Sequence, residues 1–424
     1  MRDSDSATLT ALAVVSLPAV ILSSRSRLVA SVNRAIVLAK VNFNLVAYCG
    51  GLGTSTLAED VLRWLAAVIH QLDTGNDLIT STMPAKDMFI QLIVHGCPDL
   101  TTMIDYSKSS SFPIAKGGYG DIYKSSLREN GQVLCVKTLR YLVGQSDGDC
   151  MHPKMAAYEA YTWWKISNLN HPNVLKLLGV AMFRSQIAMI STWMPGGTLS
   201  RYLSSQPKVD RYELCSQITN AVAYLHGEGI IHGDIRGDNI LLSENRQVLK
   251  LADFGNASCV HDNWSLRFSQ SNRDIIAVIR WTAPELMCNE DDSKIPAQAY
   301  SSDVYSLGMA MLETMTGEIP FFRLRYEAVC YRIANKQHPN RPQRCLPSDI
   351  KAGRMWSLLL ECWNYDPGRR PNASRVHDEL ILVNELAGSA DWEEGTLALA
   401  QIPIDATEIL RESTQFTSDV LIRE

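Results

Sequence analysis

Apolar positions fall into distinct regimes along the chain. Residues 6–24 form a run of nineteen without any charge, long enough to raise the question of a membrane anchor. Pro18, four serines and two threonines interrupt that run, and Asp3 and Asp5 stand where a secretory leader would be basic. The pattern favours a pair of helices in a small N-terminal bundle, with membrane attachment through 6–24 as the alternative. Gly50-Gly51-Leu52-Gly53 reads as a loop. Over 57–70, Val61, Leu62, Leu65 and Ile69 recur at helical spacing and predict an amphipathic helix. A second helix is predicted over 88–95, closed by Gly96 and Pro98. From about 111 to 386 the pattern shortens into strands, turns and periodic helices. Beyond 386 the tail holds eight acidic and two basic residues, which reads as a solvated segment. There is no internal repeat.

Composition narrows the functional classes. The 424 residues are 46% hydrophobic and 20% charged, enough to bury a sizeable core. Forty Lys plus Arg against forty-five Asp plus Glu argue against a broadly basic nucleic-acid binder. The ten cysteines are never closer than fifteen positions, so neither a zinc site nor a disulfide scaffold is favoured. A reduced, cytoplasmic protein is expected. Residues 6–58 contain no acid and only Arg25, Arg27, Arg34 and Lys40 as bases. That asymmetry sets off an N-terminal region, 1–110, from a central unit, 111–386, and a tail, 387–424.

The candidate chemistry lies in the central unit. Ile114-Ala115-Lys116-Gly117-Gly118-Tyr119-Gly120-Asp121-Ile122 is a glycine-rich turn of the kind that presents backbone N–H groups to a polyphosphate. Seventeen residues past Gly120, the apolar strand Leu134-Cys135-Val136 ends in Lys137. A lysine leaving a buried strand is costly without an anion, so a phosphate partner is indicated, with a snorkelling edge residue as the alternative. Further on, His232-Gly233-Asp234-Ile235-Arg236-Gly237-Asp238-Asn239 sets a carboxylate and an amide five residues apart between apolar stretches. Asp234 can accept a proton and Asn239 can offer an oxygen to Mg²⁺. Asp253-Phe254-Gly255 follows, and Trp281-Thr282-Ala283-Pro284-Glu285 comes later.

In this order and spacing these segments resemble a eukaryotic protein kinase over about 113–385, closest to the tyrosine-kinase-like branch of serine/threonine kinases. His171-Pro172-Asn173, Ser302-Asp303-Val304 and Cys362-Trp363 with Arg369-Arg370-Pro371 extend the match. The resemblance implies an α+β, bilobal fold. A small antiparallel lobe with helix C would span 113–190 and a mainly helical lobe 195–385, preceded by the helical N-terminal region. It implies ATP and Mg²⁺ as cofactors and a protein substrate. Gly117, Gly118, Gly120 and Ile122 would cover the nucleotide. Lys137 would hold the phosphates, paired with Glu159 of helix C, and Asn239 and Asp253 would hold the metal. Asp234 would orient the substrate hydroxyl and accept its proton, with Arg236 near the transferred phosphate. Ser191, Thr192 and Met194 would border the adenine, Ser191 as a small residue at the back of a deep pocket. Arg370 would pair with Glu285.

The sequence also departs from the family. Ala115 replaces the first loop glycine, and Gly233 replaces the arginine that reads an activation-loop phosphate, which implies activity independent of such phosphorylation. No tyrosine lies between Asp253 and Glu285, where Ser258, Ser265, Ser269 and Ser271 remain as candidate modified residues. Glu159 is twelve residues before His171, about three more than usual in the family. Trp163 falls on the face of Glu159, so the extra residues are placed after Trp163, near the helix end. Serine/threonine specificity is favoured over tyrosine, and an active kinase over a pseudokinase scaffold.

Overall fold

The structure, a computed structural model, describes residues 78–80, 82–116, 120–139, 151–205, 209–244, 248–260, 267–268, 279–287 and 299–386. Residues 6–24, the helix predicted over 57–70, Gly117, Gly118 and the acidic tail lie outside these.

Two short elements come first, β1 (Leu78–Ile79) and α1 (Ala85–Val94). The small lobe follows with β2 (Ala115–Lys116), β3 (Gly120–Ser126) and β4 (Val133–Leu139), then α2 (Met151–Ser167), β5 (Leu177–Phe183) and β6 (Gln186–Thr192). The five strands are antiparallel in the order β2-β3-β4-β6-β5. β-strand alternation sorts β4 into two faces. Leu134 and Val136 are fully buried on one, and Cys135 and Lys137 are half-buried on the other. Lys137 is therefore aimed across the sheet at α2.

The large lobe begins with β7 (Gly197–Thr198), α3 (Leu199–Ser205) and α4 (Arg211–Gly227), which Asp210 caps by accepting from Glu213 N. Four short strands follow: β8 (Ile230–Ile231), β9 (Ile240–Leu242), β10 (Leu249–Leu251) and β11 (Ser258–Cys259). β10, β9 and β7 form one sheet, and β8 pairs with β11. They frame the loops that carry Asp234 and Asp253. After β12 (Arg267–Phe268) comes α5 (Tyr300–Thr316), buried nearly all round, as befits a helix at the centre of a lobe. α6 (Tyr326–Ala334), α7 (Ile350–Cys362) and α8 (Ala373–Glu385) surround it. A Cβ on Gly308 of α5 would lie 2.8 Å from Cys362 Cβ, so glycine permits the close approach of α7. Thus the two-lobed α+β arrangement implied by the resemblance is the one the chain adopts.

Described residues ahead of 110 pack into the same cores as the small lobe. Ile79, Met88, Phe89 and Leu92 belong to one apolar core with Ala156, Ala157 and Tyr161 of α2, and Leu100 and Ile104 cover the other face of the small sheet. The stripe on α1 was visible in its spacing; its partner lies some seventy residues downstream and was not. Among the described residues no helix is long and apolar enough to cross a membrane.

Candidate active site

The cleft between the lobes is lined by two clusters of charge. In the first, Lys137 Nζ donates to Glu159 Oε1 at 2.7 Å and to Asp253 Oδ1 at 2.9 Å. α2 runs unbroken through Glu159 and Trp163 to Ser167, and the chain then turns toward His171. The long spacing is absorbed at the end of the helix and does not interrupt it. Burial alone would lower the Lys137 ammonium, but the attraction of Asp253 and then Glu159 outweighs this and raises its pKa. For Glu159 burial wins, and its pKa lies above the usual carboxylate range despite Lys137. For Asp253 burial is outweighed by Lys137, and its pKa is lowered. One lysine thus serves two carboxylates of unequal proton affinity.

A column of rings holds this cluster. Trp163 of α2 lies 6.1 Å from Phe254, and Phe254 lies 5.2 Å from His232, centroid to centroid. Trp163 Nε1 also donates to Leu175 O at 2.6 Å. Phe254 and Asp253 are neighbours, so packing of α2 against the ring helps set the carboxylate's position. Asp253 itself takes φ +67°, a left-handed conformation that a non-glycine residue keeps only under outside constraint.

The second cluster lies in the large lobe. Arg236 Nε donates to Asp234 Oδ1 at 3.1 Å, and its Nη1 donates to Asp238 Oδ2 at 2.9 Å. Asp238 is exposed but engaged by Arg236. Asn239 Nδ2 donates to Asp234 O at 2.8 Å and to Asp234 Oδ2 at 2.7 Å. With its NH₂ group committed to Asp234, Asn239 keeps its amide oxygen as a ligand atom. Asp253 likewise keeps Oδ2, which has no partner among the described residues. Two hard oxygens of this kind, with phosphate and water oxygens, fit Mg²⁺.

Two buried carboxylates and their partners were not legible as site residues. Asp303, at the start of α5, accepts from His232 N at 2.7 Å and Gly233 N at 2.8 Å, pinning the backbone before Asp234. Glu313, ten residues on, accepts from Gly237 N at 3.0 Å, Trp281 Nε1 at 3.0 Å and Ser200 Oγ at 2.7 Å. Burial raises its pKa above the carboxylate range. An acid directly after the apolar run Gly308-Met309-Ala310-Met311-Leu312 is the signal that could have found it. Glu285 receives both Nη1 and Nη2 of Arg370, each at 2.7 Å, as the sequence comparison implied.

The remaining expected residues lie on the strands and turns around Lys137. Ser191 is buried at the register position opposite Cys135, and Thr192 sits opposite Leu134. Met194 is buried at the crossing between lobes, its carbonyl accepting from Gly197 N. Ile122 lies opposite Lys137 on the neighbouring strand. At Gly120 a Cβ would meet Thr138 O at 2.8 Å, so only glycine fits that edge of the turn. Ala115 pairs with Ile122 without interrupting β2.

Comparison with known proteins agrees with this geometry. The family model described as protein tyrosine and serine/threonine kinase matches residues 110–380. A probable serine/threonine-protein kinase of Dictyostelium discoideum is 29% identical over 267 residues, covering 62% of this chain and 49% of the relative. The mitogen-activated protein kinase kinase kinase ANP1 of Arabidopsis thaliana is 26% identical over 331 residues, covering 76% and 47%. The tyrosine-protein kinase abl-1 of Caenorhabditis elegans is 30% identical over 280 residues, covering 64% and 21%. The chain spans about half or less of the length of these relatives. With the family match running through both lobes and both charged clusters, the chain belongs to the eukaryotic protein kinases, in the area shared by tyrosine and serine/threonine kinases where the tyrosine-kinase-like branch lies.

Proposed function

We propose that the chain is an active, ATP-dependent protein kinase that phosphorylates serine or threonine hydroxyls of protein substrates. The observation that carries this reading is the position of Lys137, within 2.9 Å of both Glu159 and Asp253. A lysine so placed can hold the phosphates of ATP while Glu159 keeps its ammonium aimed into the cleft. Across the two clusters four carboxylates face two cations, an excess of negative charge that favours a divalent metal. Asp253 and Asn239 would hold Mg²⁺, which neutralises phosphate charge when bound.

Phosphoryl transfer asks the protein chiefly for alignment and charge stabilisation. Asp234, oriented by Asn239 and Arg236, accepts the hydrogen bond of the substrate hydroxyl. As the hydroxyl oxygen bonds to the γ-phosphorus, the bond from phosphorus to the β,γ-bridging oxygen breaks and ADP leaves with that electron pair. The hydroxyl proton passes to Asp234. Arg236 directs its guanidinium along the same loop, where it can meet the transferred group. Gly233 leaves no cation to read an activation-loop phosphate, in keeping with a kinase that works without that modification. The serine/threonine-kinase names among the relatives favour those hydroxyls; the tyrosine kinases among them keep tyrosine as the competing reading.

The test is transfer of labelled γ-phosphate from Mg-ATP to the chain and to a generic acceptor, beside Asp234→Asn and Asp253→Asn. Label on serine or threonine, falling by about a hundredfold or more in both variants, supports the proposal. Label on tyrosine overturns the specificity. No label above the variants, with Mg-ATP still bound by folded protein, leaves a nucleotide-binding scaffold.

A further inference from the structure

The segment before the family match is built into the catalytic unit at three places. Residues 98–100 run parallel to β5 as an added edge: Val180 N donates to Pro98 O and Leu100 N donates to Val180 O, both at 2.8 Å. The chain then crosses the outer face of the small sheet, where Leu100 and Ile104 complete an apolar cluster with Tyr123, Val136, Phe183 and Ile190. Asp105 N donates to Ser126 O at 2.8 Å and Arg128 N to Met103 O at 2.9 Å, fixing the far end. Gly179 of β5 is the residue that permits this. A Cβ there would stand 2.5 Å from Pro98 O and 2.9 Å from Leu100 Cγ.

The other two places touch elements on which the active site depends. α1 packs Met88, Phe89 and Leu92 into the core shared with Ala156, Ala157, Ala160 and Tyr161 of α2, the helix that carries Glu159. The His95 ring meets Tyr161 edge-on at 6.3 Å. Upstream again, β1 pairs in parallel with β12, Leu78 opposite Arg267 and Ile79 opposite Phe268. β12 lies between Asp253 and Glu285, in the segment where the family's activating phosphate would sit. One covalent stretch thus grips the small sheet, α2 and that segment together.

We propose that residues 78–110 are a built-in brace that holds α2 and the activation segment in the arrangement for phosphoryl transfer, so that the working catalytic unit of this chain starts near residue 78. Met88 and Leu92 are positioning residues that act through Glu159. The brace supplies from within the chain the ordering that an activation-loop phosphate, unread at Gly233, would otherwise supply. The proposal concerns how the pair is held; its effect on turnover rests on the kinase activity proposed above.

The test uses the full chain carrying Met88→Asp, which places a charge between α1 and α2. Met88→Leu is the conservative control, and Gly179→Ala separately crowds Pro98. Amide hydrogen exchange over α2 and over 267–268 is read against α5 as an internal standard. The expected result is exchange at least about tenfold faster in α2 for Met88→Asp and Gly179→Ala, with α5 unchanged and Met88→Leu like the parent. In activity, kcat falls by about tenfold for Met88→Asp, and Glu159→Gln removes that effect, since both act through one pair. The proposal is overturned if α2 exchanges as in the parent, if α2 and α5 loosen together, or if the two losses of kcat multiply independently. A parent chain that transfers no phosphate while its variants still open α2 selectively sinks the kinase reading and sustains the brace.

Discussion

Two shielded cations in this protein are satisfied in opposite ways. Arg370 has a side chain with no exposed surface, and four of its five N–H groups are engaged: Glu285 takes two at 2.7 Å, Ser301 O one at 2.8 Å and Asn364 O one at 2.8 Å. Its planar fork matches one carboxylate, and the backbone takes the rest. Lys137 is 14% exposed and divides itself between Glu159 and Asp253, which is 38% exposed. Its third donor hydrogen has no protein acceptor among the described residues, and the two carboxylates exceed its charge. A pair matching one cation to one carboxylate fixes the end of the activation segment against α5. A cluster with carboxylate in excess of its cation is free to take on a ligand. The difference separates a structural ion pair from a binding site more clearly than burial does.

The widest expected contrast comes from cutting each cluster at its cation. Arg370→Met removes the partner of Glu285 and the bonds to two carbonyls and costs about 3–5 kcal/mol, enough to lower the melting temperature by about 10 °C. Phosphoryl transfer by the remaining folded fraction is expected to survive. Lys137→Met should do the reverse, lowering kcat by about a hundredfold or more while costing only about 1–2 kcal/mol of stability. The smaller cost follows because Asp253 reaches water and Glu159 can take up a proton. Equal melting shifts for the two variants would erase the distinction.

The pH response of the Lys137→Met variant sharpens it. With the ammonium gone, burial acts on Glu159 unopposed by that charge, and its folded-state pKa rises further above the unfolded value. Stability tied to a raised carboxylate is fully present below the unfolded pKa and is lost as pH rises through the folded one. Denaturant titrations of this variant and the parent should therefore show the deficit shrinking from about pH 7 to about pH 5. A constant deficit would place Glu159 outside the shielded cluster.

The smallest effect probes the turn between the clusters. Gly233 has φ +78° and its N–H is held by Asp303. Gly233→Arg restores the family's arginine but in a left-handed conformation, so it is expected to cost about 1–2 kcal/mol. Chemical denaturation measures this directly, and a neutral or stabilising result would mean that Asp303 does not enforce that backbone.

Much of the site could be read from the chain because its residues arrive in short contiguous groups. Asp234 and Asn239 share one loop, and their mutual hydrogen bonds follow from that proximity. Lys137 and Glu159 were paired through the resemblance, and the structure supplies the contact together with the reason it survives the long spacing, a helix that simply continues to Ser167. Asp303 and Glu313 escaped notice as site residues because their partners, Gly233 and Gly237, are about seventy residues away. Spacing within one helix says which side chains share a face; it is silent on what the face meets.

The same limit applies to residues 78–110. By itself the sequence determined that this stretch holds an apolar helix closed by Gly96, because periodicity and turn chemistry are local properties of the backbone. It also determined the order of the phosphate, metal and proton-accepting groups. Tertiary structure alone decided that α1 packs on α2, that 98–106 straps the small sheet and that β1 joins β12. Apolar surface is non-directional in what it accepts. The choice among burial partners rests on shape, as at Gly179, where the absence of a single methyl group lets one strand come within reach of another.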